Sequence, residues 1–168
     1  MANADKPKGF QFAYTKHGGP PLVTRYYTAG TAIYKGDVLK LSNGRVAPVT
    51  AVTDAPMGVA AAYNGSTDET SEVFVYDDLQ NTVFQAQADT SQIAGTSLVN
   101  TGKDITITAG SSLSDLSQQE VDVSASCVGY VWILDKVGRP DNDWGSYVDL
   151  YVEILAPENM KTSAWPAS

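Results

Sequence analysis

The chain has 168 residues, with 11 basic against 19 acidic side chains and a formal charge of −8. One domain is the default at this length, or two small halves sharing a core, and such a chain buries roughly 70% of its unfolded surface without covalent staples. The acidic balance argues against nucleic-acid backbone binding, which needs a basic stripe, and the chain contains no run of about 18 apolar residues to suggest a membrane-spanning helix.

Residues 1–14 read as an extended N-terminal arm. The opening MANADKPKGF is polar and lacks the apolar stretch of a signal peptide, so cytoplasmic synthesis without export by that route is expected. Phe10, Phe12 and Tyr14 then share one face of an extended segment. Two readings fit them: an edge strand of the domain's own sheet, or an arm that docks on a neighbouring subunit. On the arm reading, removing residues 1–14 leaves the rest folded. The run HGGPPL breaks the chain at residues 17–22. Residues 15–156 read as a single all-β domain, with a possible sub-boundary in the polar loop at 64–71, and residues 157–168 as a C-terminal tail.

Within the domain, LVTRYYTAG is rich in branched and aromatic residues. Short strands are then expected at Thr31–Tyr34, Asp37–Leu41, Arg45–Val49 and Met57–Ala62. Asn43-Gly44 is the strongest hairpin signal, because both residues tolerate the positive φ of a type I′ turn. Lys35-Gly36 is a second turn. EVFVYDD and NTVFQAQAD follow as strands. In the latter, Phe84, Ala86 and Ala88 share one face and Val83, Gln85, Gln87 and Asp89 the other. The small residues imply close approach by another layer. A weakly patterned stretch follows, with one short strand at Asp104–Thr108 and a capping box, Ser117 with Glu120, opening at most one helical turn.

The last third is the most regular. Val128–Leu134 is apolar on both faces, as in a strand covered on both sides. GRPDNDWG is dense in turn formers. Val148, Leu150, Val152 and Ile154 then alternate with Tyr147, Asp149, Tyr151 and Glu153, the period of a half-buried strand. No segment of ten residues carries a 3.6-residue period. The fold class is therefore all-β, a small barrel or sandwich, by pattern and by exclusion.

Reactive constellations are scarce. His17, the only histidine, precedes Gly18-Gly19-Pro20, and any Ser-His-Asp or Cys-His arrangement would have to use it. Cys127, the only cysteine, sits at the edge of an apolar strand and reads as a small buried hydrophobe. Zinc requires more ligands of this kind. Asp141-Asn142-Asp143 resembles half of a calcium loop, but the glycine and glutamate that complete one are missing, so it reads as a solvated turn. No glycine-rich phosphate loop is present. No catalytic, metal or cofactor residue is assigned, and the chain does not read as an enzyme. Trp132 reads as core and Trp144 as partly exposed. Trp165, in the tail, packs either on its own domain or on a partner.

Two segments, NTVFQAQAD (Asn81–Asp89) and GRPDNDWGSYVDLYVEI (Gly138–Ile154), resemble the head decoration, or cement, proteins of tailed bacteriophages. Such chains carry a Phe-containing strand with a polar end, then an RPDN turn, a glycine and a last strand. The resemblance covers residues 72–155 well and the first half loosely, where AGTAIYKGDVLKLSNGRVAPVT is similar in flavour to small barrel or β-tulip modules. It implies a homo-oligomer, with a trimer favoured, on the outer surface of the virion capsid. There it would bridge neighbouring major capsid proteins and stabilise the head. It also implies inter-subunit or capsid contacts through Phe10, Phe12 and Tyr14, with Trp165 as a second anchor. Arg139, Asp141 and Asn142 match the family turn and read as structural, with Arg139 paired to an acidic neighbour. The alternative is a virion-surface carbohydrate- or receptor-binding β module, with Trp144, Tyr147 and Tyr151 as a stacking platform.

Overall fold

The structure is a computed structural model that describes residues 3–89, 95–124 and 130–155. Cys127, Val128 and Trp165 lie outside these residues, as does the whole of the expected tail. The described chain is all-β, with two antiparallel sheets and no α-helix beyond a single 3-10 turn at Thr96–Leu98. The strands in chain order are β1 (Gln11–Thr15), β2 (Thr24–Tyr27), β3 (Val38–Ser42), β4 (Arg45–Pro48), β5 (Gly58–Ala60), β6 (Glu72–Tyr76), β7 (Thr82–Gln87), β8 (Gly102–Ile105), β9 (Val121–Asp122), β10 (Val131–Lys136) and β11 (Asp149–Ile154). One sheet has five strands in the order β2-β6-β5-β3-β4, and the other has six in the order β1-β7-β11-β10-β8-β9.

The chain passes from the six-stranded to the five-stranded sheet at residues 16–23 and back at residues 77–81. The polar loop 64–71 lies in the connection from β5 to β6, which are hydrogen-bonded neighbours. Each sheet curls so that strands distant in its order approach through one parallel bridge, the end strands β2 and β4 in the first sheet, and β7, inside the edge strand β1, with β9 in the second. Thr28 bridges Val46 in the first sheet and Ala88 bridges Val121 in the second. No continuous ladder closes either curl among the described residues.

This curling explains why successive residues are both buried. Leu39, Val46, Ala60, Val73 and Val75 fill the inside of the five-stranded sheet together with Ile33. Their chain neighbours Val38 and Val59 point the other way, into a larger core shared with Phe84, Ala86, Ile133, Leu150 and Val152 of the six-stranded sheet. An alternating side-chain direction thus serves two apolar compartments at once. Gly58 allows the close approach: a Cβ there would meet Val75 Cγ1 at 2.4 Å and Tyr76 O at 2.8 Å.

Several expectations are met at residue level. Asn43 (φ 50°) and Gly44 (φ 77°) form the two-residue turn between β3 and β4. Gly36 (φ 90°) occupies the turn closed by Asp37 N–H donating to Tyr34 O at 3.0 Å. Leu150, Val152 and Ile154 are buried along β11, as is Val148 just ahead of it. Others are corrected. Thr31–Tyr34 forms no strand, and Ile33 makes only an isolated bridge to Asn64. No helical turn follows Ser117: its hydroxyl accepts from Gln119 N–H, while Glu120 N–H donates to Thr106 Oγ1. Trp132 is half-buried rather than core, because β10 alternates: Val131 and Ile133 point inward, and Trp132 points to the outer face.

Candidate functional site

The described residues before β1 lie along the domain. Asn3 Nδ2 donates to Asp143 O (2.7 Å) and Ser146 O (3.0 Å), and its Oδ1 accepts from Asp143 N–H (3.1 Å). Gln87, 7% exposed, accepts from Lys6 N–H at 2.9 Å and donates to both Ala4 O (3.0 Å) and Tyr147 O (3.1 Å). The polar start is thereby strapped across the end of β7 and the 138–147 turn. Gln11–Thr15 then pairs antiparallel with β7 as an edge strand of the domain's own sheet.

The three aromatic residues of this segment separate. Phe10 is 1% exposed, and its N–H donates to Gly36 O at 2.9 Å, so it is a core residue. Phe12 stacks on Tyr76 with ring centroids 5.5 Å apart. Tyr14, 44% exposed, meets Tyr151 edge-on at 5.7 Å. A register shift between Phe12 and Tyr14 separates them from the simple alternation assumed from sequence.

The RPDN turn is anchored by Asn142, which is 1% exposed. Its Nδ2 donates to Val137 O (2.8 Å) and Asp149 O (2.9 Å), and its Oδ1 accepts from Asp149 N–H (2.8 Å). Only an amide both donates and accepts in this way. Arg139 pairs with Asp149 and with Asp141, the latter at 3.4 Å. The two resembling segments are also neighbours in space: Asp149 lies opposite Gln87, Leu150 opposite Ala86 and Tyr151 opposite Gln85.

These parts enclose a polar cleft of about 250 Å³, whose charged lining is Lys6, Lys8 and Arg139 together with the carboxylates of Asp141 and Asp149, beside Gln85 and Tyr147. Arg139, Asp141 and Asn142 therefore converge on one site with the N-terminal segment. Tyr14 and Phe12 do not line it. Sequence reasoning missed Asn3 and Gln87. The available signal for Gln87 was a polar residue closing an alternating strand just ahead of the chain's exit.

A second, more open cleft of about 520 Å³ lies between Lys40, Leu41, Asp54, Met57, Asp77 and Leu79. Its Asp54 is committed: burial opposes ionisation, but Lys40 and the Thr50 and Ala51 N–H groups outweigh it and bring the carboxyl to about 2. On the outer face of the five-stranded sheet, Tyr27 and Phe74 are each about half exposed, beside the Arg25–Glu72 pair. The expected stacking platform is dispersed: Trp144 packs partly against the larger core, and Tyr151 is engaged by Tyr14. Among the described residues, no group of three or more His, Cys, Asp or Glu side chains is placed to hold a metal ion, and no helix is long and apolar enough to cross a membrane. The chain matches no family model, and comparison with curated proteins and with solved structures gives no match.

Proposed function

We propose that this chain is a capsid decoration protein of the tailed-phage kind, a trimer that binds the outer surface of the expanded head and bridges neighbouring major capsid proteins. The observation that carries the reading is the convergence of the two resembling segments. Asn81–Asp89 and Gly138–Ile154 supply adjacent strands, and the turn that leads from β10 into the second of them is locked by Asn142 and strapped by the N-terminal residues. The finer fold proposed is a small barrel or sandwich of β-tulip or jelly-roll type, which the curl of each sheet supports.

Such a protein works by linkage. A ligand that binds only the assembled shell stabilises it by about 2.7 kcal/mol per site at a hundred times its Kd, and repeated contacts over a shell add up. Tyr27 and Phe74 supply exposed apolar area for such contacts. The test is co-sedimentation of the purified chain with expanded, undecorated phage heads, followed by heating. Saturable binding with a higher temperature of DNA release is expected. A folded chain that binds no head would overturn the reading. The alternative is a carbohydrate- or receptor-binding module. Glycan-array binding without head binding would select it.

A further inference from the structure

Most cations of the described chain are committed. Lys16, Arg25, Lys40, Arg45 and Arg139 form ion pairs with carboxylates, and Lys136 donates to Asn142 O. Lys6 and Lys8 have no side-chain partner among the described residues, and both line the polar cleft. Lys35, likewise unpartnered, lies on the adjoining turn, where Gly36 O accepts from Phe10 N–H. Among the described residues, two of the cations without a side-chain partner thus sit at this cleft and the third on the turn beside it, while the cleft's own carboxylates, Asp141 and Asp149, are both paired with Arg139. The Gln85 amide and the Tyr147 hydroxyl at the same cleft are also unpartnered among the described residues.

We infer that this cleft docks an acidic segment of a protein partner, whose carboxylates pair with Lys6 and Lys8 while Gln85 hydrogen-bonds its backbone. The volume of about 250 Å³ falls below the roughly 300–1,000 Å³ of small-molecule pockets. It suits one or two inserted side chains, with the rest of the segment crossing the rim. The two free lysines are on the strapped N-terminal residues, so their positions are fixed by the Asn3 and Gln87 hydrogen bonds rather than left to a mobile terminus. Charge complementarity selects the occupant. The chain's overall negative charge would repel an acidic partner elsewhere, which makes this patch orienting as well as attractive. That the partner is a shell protein rests on the reading proposed above; that it is acidic does not.

The test uses the full chain with two probes. A fluorescein-labelled octaglutamate peptide is titrated by anisotropy at low salt, and expanded undecorated heads are tested by co-sedimentation. The charge reversal Lys6→Glu/Lys8→Glu is compared with Arg25→Glu/Arg45→Glu, which changes net charge equally on the other sheet. A loss of about tenfold or more in peptide affinity for the first variant alone is expected, with wild-type binding weakening as salt rises. A milder variant, Lys6→Gln/Lys8→Gln, guards against misfolding and should show a smaller loss at unchanged Tm. Equal losses in both reversal variants, or tighter binding to a labelled oligothymidine than to octaglutamate, would overturn the inference. Heads bound equally by wild type and Lys6→Glu/Lys8→Glu would also overturn it while leaving the decoration reading intact. Peptide binding without head binding would leave the site standing and remove the decoration reading.

Discussion

Replacing Asn142 by alanine should be among the most damaging single changes outside the apolar core. The side chain makes three hydrogen bonds at 2.8–2.9 Å and is 1% exposed. Two acceptors keep other donors after truncation: Val137 O still accepts from Arg139 N–H, and Asp149 O from Val137 N–H. Asp149 N–H is left without its acceptor. Counting about 1 kcal/mol for each lost bond and about 1 more for the orphaned donor, less what water from the adjoining cleft restores, gives a loss of about 3 kcal/mol. For a domain of this size that lowers Tm by roughly 6–12 °C. Urea denaturation followed by tryptophan fluorescence measures it directly. Asn142→Asp provides the control. It keeps the acceptor for Asp149 N–H but sets a carboxylate against two carbonyl oxygens, so it should cost at least as much at pH 7 and recover on acidification. A loss below about 0.5 kcal/mol in Asn142→Ala would refute the account of the turn.

Three further outcomes follow from the same structure. Glu120 is half-buried with Oε1 unpartnered, and burial, then the Asp5 and Asp89 charges, push its carboxyl from 4.5 up to about 7. The native state therefore binds this proton more tightly than the unfolded chain, and the group's contribution to stability falls as pH rises from 4.5 to about 7. After discounting for solvent screening, Glu120→Gln should exceed wild type by about 1–2 kcal/mol at pH 8, with no gap at pH 4, and a gap independent of pH would refute this. Phe10→Ala should cost about 3–5 kcal/mol while Tyr14→Ala costs under about 1, measured by urea midpoints; equal costs would contradict the separation of core from surface. Deleting residues 1–14 removes Phe10 and most of β1, so thermal unfolding should show a strongly lowered Tm rather than the intact body that a free arm would leave.

The local patterns were legible where one physical rule acts alone. The Asn43-Gly44 turn follows from φ preference, and the burial of Val148 to Ile154 follows from the period of two. The fold class followed from the absence of any 3.6-residue period. The pairing of sheets was not legible, because register and strand order depend on residues far apart in the chain: β1 meets β7, and β2 meets β6. For the same reason the polar loop at 64–71 gave no sign that the strands on either side of it pair.

The same division holds at the cleft. The sequence by itself marked Arg139, Asp141 and Asn142 as a turn, since the chemistry of a turn is local. Only the tertiary structure could show Phe10 as core and Tyr14 as surface, since Phe10 sits ahead of β1, tied to Gly36 O, while the β1–β7 register shift falls between Phe12 and Tyr14. Only it could bring Asn3 to Asp143 and Lys6 to Gln87, because those hydrogen bonds join atoms that no local periodicity relates.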